Sequence, residues 1–272
     1  MQKKFGYSQI FYDHAVKTLS YPTDLKDKEW ALIQHHFQPK DRRGSASKHS
    51  RKQVVDAILY IATTGAQWRL LPNDFPPWKT VYGHFSRWNK SGVWEAALDQ
   101  LNKTYRKKKQ RQPGPSYGII DSQSTKTQYD SEERGIDGGK KVKGRKRHIV
   151  VDSLGNLLHV QVHAANIHDT IAAGEVLQRA KEKWPSLAAF SGDAGYRGTA
   201  VRFVEHTLQM TLHISEKIKE GFAVLPKRWV VERTFAWFGH FRRLAKDFEV
   251  LTATTENWIR IAMIKLTLAK CL

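Results

Sequence analysis

Three acidic residues stand where distant parts of the chain could place their side chains in one site. Asp121 follows the apolar Gly118-Ile119-Ile120, and Asp193 follows Phe190-Ser191-Gly192. Both runs read as strands, and in open α/β sheets ligands gather beyond strand ends. Glu232 sits in an apolar helical stretch with Trp229, Val230, Val231, Phe235 and Trp237. An unpaired charge on such a face is costly to bury, so a partner is required: a metal ion, or an arginine such as Arg228 or Arg233. Hard divalent cations such as Mg²⁺ take a few carboxylate oxygens together with substrate phosphate. Two such ions ~3.5–4 Å apart can activate an attacking oxygen and stabilise a leaving one during in-line displacement at phosphorus. Each residue taken singly has a plainer reading. Asp121 could cap a strand, Asp193 could serve the turn before Gly195, and Glu232 could join a helix salt bridge. Asp152 and Asp169 are weaker rivals, because a hairpin turn and a helix start both favour Asp anyway.

The charge balance supplies the substrate class. Lys and Arg number 45 against 26 Asp and Glu, a net charge of +19, which points to a polyanionic partner. Lys79, His84, Arg87 and Lys90 lie on one helical stretch and are candidates for phosphate contact. The run KKVKGRKR contributes Lys140, Lys141, Lys143, Arg145, Lys146 and Arg147. It reads as a phosphate-binding strip beside the strand of Asp121, or as a solvated loop. His159, His163 and His168 have no spacing that fixes a zinc geometry. Trp68, Trp88, Trp229 and Trp237 read as packing residues. A hydrophobic fraction of 40% supports a full core, and the single cysteine, Cys271, rules out a disulfide within the chain. The N-terminal stretch lacks the apolar centre of a signal peptide, and no apolar run approaches ~20 residues, so a cytoplasmic protein is expected.

The elements that must position these residues fall into two textures. Residues 1–24 have no clear period and read as an arm. From 25 to 110 the pattern is helical. LKDKEWALIQHHF opens it, and a polar loop follows at 39–50. Ser50 with Gln53 forms a capping box for a helix that Gly65 ends. Helices follow at 78–91 and from Val93 to a basic end at Arg106–Lys109, the first of them after the proline-rich WRLLPNDFPPW. The four make an aromatic-rich bundle suited to DNA. Residues 111–117 are a linker by composition. From 118 to 272 the texture is α/β: a strand with a polar end in YGIIDSQST (117–125), a hairpin turning at Asp152–Asn156, a helix from Asp169, a short strand before Asp193, a helix at 197–208 and a strand at 210–215. One long helix is expected over 226–249, and an amphipathic helix closes the chain. Three opening strands followed by α/β alternation favour a mixed sheet with helices on its faces.

IIDSQSTKT (119–127), GGKKVKGRKRHIVVDSLG (138–155), SGDAGYRG (191–198) and PKRWVVERTFAWF (226–238) together resemble the catalytic core of bacterial insertion-sequence DDE transposases, insertion sequence family five. Residues 25–88 resemble that family's N-terminal helical domain. The resemblance implies an α/β, ribonuclease-H-like fold with an all-α DNA-binding bundle ahead of it. It implies Asp121, Asp193 and Glu232 as catalytic residues and as ligands of two Mg²⁺ ions, with Mn²⁺ as a substitute. It also implies strand cleavage at the element's ends and transfer into target DNA. The expected partners are double-stranded DNA with terminal inverted repeats, target DNA and further copies of the chain, in the bacterial cytoplasm and nucleoid. Arg228 matches the arginine of the motif around the glutamate, and Arg228 and Arg233 are further candidates for DNA contact. The motif's tyrosine and lysine positions hold Leu225 and Gly239 here, so Arg242, Arg243 and Lys246 are candidates to supply the missing charge.

Overall fold

The computed structural model describes residues 21–39, 48–128, 130–215 and 228–272. Expectations for the arm at 1–20, most of the 39–50 loop and the entry to the helix at Pro226 lie outside these residues. The first half is helical: α1 (Asp27–Ile33), α2 (Arg51–Thr64), α3 (Trp78–Lys90) and α4 (Val93–Lys108). The punctuation of α2 follows its sequence. Ser50 accepts from the Gln53 backbone N–H while the Gln53 side chain reaches back, and Gly65 closes the helix at φ +72°, a left-handed conformation that glycine adopts without steric cost.

The second half contains β1 (Tyr117–Lys126), β2 (Gly135–Asp137), β3 (Val142–Val151), β4 (Leu157–Ala164), α5 (Asp169–Lys183), β5 (Ala189–Gly192), α6 (Thr199–His206), β6 (Thr211–Ile214), α7 (Arg228–Phe238) and α8 (Thr252–Cys271). β1 pairs antiparallel with β3 and parallel with β5. β3 also pairs antiparallel with β4 and β2, and β5 pairs parallel with β6. The spatial order β4-β3-β1-β5-β6, antiparallel on one side of β1 and parallel on the other, is the mixed ribonuclease-H-like sheet expected. Side chains alternate across it. Ile119, Ile149, Val151, Leu157 and Val160 face a core shared with α7, α8 and the bundle. Ile120, Val150, Leu158, Phe190 and Leu212 face a second core under α5 and α6.

The break at residue 110 is a change of texture without a break in packing. Trp258 of α8 stacks on Phe85 of α3, ring centroids 4.6 Å apart. Buried Asn102 donates to the Leu157 carbonyl at 2.8 Å, and Arg106 pairs with fully buried Asp152 at 2.5 Å. α8 also covers β4, where Glu256 accepts from the Val162 backbone N–H at 3.0 Å and occupies a hydrogen bond that another strand could have taken.

Two expectations are corrected. The stretch 226–249 is not one helix: α7 stops at Phe238, and a 3₁₀ turn follows at Arg242–Leu244. Gly239 and His240 tighten the end with i→i−3 bonds of 3.1 Å each, and buried Phe241 and Leu244 turn the chain back against the bundle. The basic run 140–147 is neither a loop nor a surface strip along its whole length. From Val142 onward it is the inner strand β3, flanked by β1 and β4.

Candidate active site

Asp121 and Asp193 are placed by register. The parallel pairing of β1 and β5 runs through Ile119 opposite Ser191, and each aspartate lies two residues further on. They therefore sit level on neighbouring chains, which in a sheet are ~4.8 Å apart. By the same alternation Asp121 shares the Ile119 side, towards α7. Both aspartates line a cavity of about 10 Å³ with Gly192, Ser215 and Val231 of α7, about the space one water or small ion requires. Asp193 is held by its own turn, its Oδ1 accepting from the Gly195 N–H at 2.8 Å.

The Asp121 carboxyl is pushed up to about 7. Burial is the main cause, the negative fields of Asp193 and Glu232 add to it, and the Ser122 backbone N–H and Lys140 oppose it. Asp121 thus lies in the field of both other acidic groups. Glu232 is nevertheless solvent-exposed on α7, and among the described residues no three His, Cys, Asp or Glu side chains are gathered closely enough to hold a metal ion. The structure brings Asp121 and Asp193 together and leaves Glu232 beside them. The donor set still fits a hard divalent cation: oxygen ligands, a small cavity, and mutual repulsion that a cation would relieve. Mg²⁺ commonly takes one or two carboxylates and completes its shell with water and phosphate.

Behind this pair, on the α5 side of the sheet, lies a buried polar chain that sequence reading missed. His163 Nδ1 is 3.0 Å from the Ala164 carbonyl, so that nitrogen carries the proton. His163 Nε2 is then an acceptor for His148 Nδ1 at 3.1 Å, which leaves His148 Nε2 to accept from the Tyr196 hydroxyl at 2.6 Å. Both rings are held neutral, their pKa values lowered first by burial. Ser122 donates to Asp169 at 2.9 Å, and Lys146 meets the same carboxylate at 2.9 Å. Ser122 follows Asp121 and Tyr196 closes the turn after Asp193, so the network ties the two acidic positions to the sheet. Histidines at alternate strand positions, opposite one another across a hairpin, were the available signal.

The basic candidates divide sharply. Lys79, Arg87 and Lys90 on α3 are exposed, as are Lys140, Lys141, Lys143 and Arg242. His84 is different: burial, then Arg51 and Arg87, lower its pKa to about 4, so it remains uncharged, with Nδ1 as the acceptor 3.1 Å from the Arg51 guanidinium and 3.2 Å from that of Arg87. Arg145, Lys146 and Arg147 are 0%, 6% and 2% exposed, which corrects their assignment as phosphate contacts. Arg145 bonds to Asp247 at 3.0 Å and to the Glu132, Glu249 and Val250 carbonyls. Lys146 reaches the Ile167 carbonyl at 2.8 Å, and Arg147 reaches that of Leu244 at 2.8 Å. Arg243 is largely spent on Glu249 at 2.8 Å. Lys246 lies 5.9 Å from the Phe248 ring, and the Arg228 side chain lies outside the described residues. Arg233 stands between Trp229 and Trp237, its guanidinium 4.3 and 4.6 Å from their ring centres.

Fold and site define a ribonuclease-H-like protein with one acid inside the central strand and a second just past the end of its parallel neighbour, in a strongly basic chain. The family model "Transposase DDE domain" matches residues 112–266, more than half the chain, and "Putative transposase of IS4/5 family (DUF4096)" matches residues 25–98. The chain belongs to the DDE-domain transposase family. Among curated proteins it is 29% identical over 120 residues to "Putative transposase for insertion sequence element IS402" of Burkholderia cepacia, covering 39% of this chain and 54% of that one. It is 30% identical over 78 residues to "Uncharacterized protein y4sN" of Sinorhizobium fredii, covering 28% of this chain and 62% of that one. The matches thus span less than two thirds of either relative. Among solved structures, "Mos1 transposase paired-end complex with left transposon end" aligns over 85% of this chain and 81% of that chain, at 12% identity and a TM-score of 0.25. No helix among the described residues is long and apolar enough to cross a membrane.

Proposed function

We propose that this chain cleaves DNA at the ends of an insertion element and joins the ends to target DNA, with Asp121, Asp193 and Glu232 as its acidic machinery. The observation that carries the reading is that Asp121, on β1, and Asp193, just past β5, line one small cavity, with Asp121 in the field of Glu232. Asp121 and Asp193 would hold Mg²⁺, or Mn²⁺ in its place, and Glu232 would complete the set once DNA is bound. The bound ions would supply Lewis acidity at the scissile phosphate and stabilise the leaving oxygen. The rigid strand pair fixes the spacing of the two aspartates, and the Gly195 N–H orients Asp193. Exposed Lys140, Lys141 and Lys143 at the start of β3 would hold the phosphate backbone near Asp121. Lys79, Arg87 and Lys90 would hold it on the bundle, the proposed DNA-reading unit of residues 25–110. Paired ends require two or more copies of the chain.

Asp121→Asn, Asp193→Asn and Glu232→Gln, made singly, are expected to bind end-containing DNA but lose Mg²⁺-dependent nicking by at least ~100-fold, the scale of losing a group that acts in the transition state. Nicking of a labelled duplex carrying the element's terminal repeat measures this. Wild-type rates in all three variants would show that the site is elsewhere. Cutting without any strand-transfer product in a plasmid assay would indicate a nuclease of the same fold.

A further inference from the structure

A row of stacked cations and rings crosses the surface next to Glu232. Trp229, Arg233 and Trp237 are spaced four apart on α7, so they share one face of the helix. The row continues onto the last turn of α8, where Lys270 Nζ is 4.0 Å from the Trp237 ring and 5.7 Å from Tyr105 of α4. It ends with Lys109 Nζ, 5.8 Å from Tyr105. The hairpin turn leaves room for it: Gly155, at φ +83°, would place a Cβ 2.9 Å from Arg233 Nη2 and 3.3 Å from Trp237.

This row carries charge without a counter-charge. Arg233 makes one bond of 3.2 Å, to the Leu154 carbonyl. Its Nε and the Lys270 Nζ are both buried, and among the described residues neither has a hydrogen-bond partner. The nearby carboxylate, Asp152, is committed to Arg106 and Asn156. Burial, then the like charge of Arg233, lowers the Lys270 pKa to about 8. Among the described residues Arg233 pairs with no carboxylate, and buried Lys270 beside it adds to the positive field, so the surface is short of an anion. Trp229 is 43% exposed although one face lies on Arg233, so a large aromatic surface remains open. A ring-stacked arginine beside an open aromatic ring is a physical signature of single-stranded nucleic-acid binding, where phosphates meet the charge and bases stack.

We propose that Trp229, Arg233 and Trp237 form a docking surface for a single-stranded stretch of DNA leading from the cleavage site, with phosphate held by Arg233 and a base stacked on Trp229. This rests on the reading of the chain as a DNA-cutting enzyme and adds which surface takes the opened strand.

The test is fluorescence anisotropy of full-length protein with a labelled single-stranded oligonucleotide and with the matching duplex, across a KCl series. Arg233→Gln is expected to lower the slope of log affinity against log salt by about 0.7 on single strands. Lys109→Gln, at an exposed position at the end of the row, gives a second reading of the same slope. Trp229→Ala is expected to weaken single-strand binding about 5- to 150-fold, the range for one lost base stack, while duplex binding changes little; Trp229→Phe recovers most of it. Variants with wild-type thermal unfolding but unchanged slope and unchanged single-strand affinity would overturn the proposal. If wild type nicks DNA while these variants bind as it does, the docking surface alone fails. If wild type neither nicks nor binds, the enzymatic reading fails and takes this inference with it.

Discussion

Removing Asp247 tests whether the basic run of β3 serves the fold or the DNA. Arg145 has no exposed surface, and its guanidinium is held by the Asp247 carboxylate and by three backbone carbonyls, of Glu132, Glu249 and Val250. Asp247→Ala takes away the counter-charge and leaves the cation buried. Breaking a buried pair from one side costs ~3–5 kcal/mol, a large part of the ~5–15 kcal/mol that holds a typical protein folded. Asp247 also accepts from Thr255 at 2.8 Å and from the Glu249 N–H at 3.0 Å, so the upper half of that range is expected. Urea unfolding followed by tryptophan fluorescence would show the midpoint falling with little change in slope. The double variant Arg145→Met, Asp247→Leu should recover most of the loss, because apolar residues of similar volume can replace a buried pair. The salt dependence of DNA binding by folded Arg145→Met, Asp247→Leu should match wild type. A loss below ~1 kcal/mol for Asp247→Ala, with a shallower salt slope for the double variant, would refute the structural assignment and return Arg145 to the DNA surface.

Tyr196→Phe removes the donor on which His148 Nε2 depends, and a buried acceptor left unsatisfied costs ~1–3 kcal/mol; nicking should slow as the Asp193 turn loosens. A variant equal to wild type in both unfolding and nicking would show that the network positions nothing. His159, whose pKa is lowered to about 3 by burial first and then by Lys183 and Arg260, is neutral in the folded chain and protonates once unfolded below ~6.5. Its contribution is complete above that pH and is lost as pH falls towards 3. Between pH 7.5 and pH 5 it should account for ~1–2 kcal/mol of lost stability, which His159→Leu would abolish in paired urea titrations.

How far the sequence could be read depended on how local each cause was. The Ser50–Gln53 box and Gly65 are signals within one turn, and both ends of α2 fell where they indicated. Asp121 and Asp193 were visible because each directly follows an apolar strand. Arg145 to Arg147 were misread because consecutive charges hide the two-residue alternation of a strand, and the partners that make burial tolerable, Asp247 and the Leu244 carbonyl, are about a hundred positions away. The helix at 228 was overextended because Phe241 and Leu244 keep the apolar count going after Gly239, although they serve a turn. The His148–Tyr196 link spans two elements whose adjacency only the sheet order establishes.

The position of α8 has a consequence for how the molecule is made. Its residues Trp258 to Leu268 complete the core that bundle and sheet share, so neither half can finish burying its apolar side before they arrive. During synthesis, at ~5–20 residues per second, the strands and α7 emerge well before the helix that covers them. The nascent chain therefore spends several seconds with a sticky, strongly basic surface open to chaperones and to nearby nucleic acid, and becomes a finished fold only when its last helix settles.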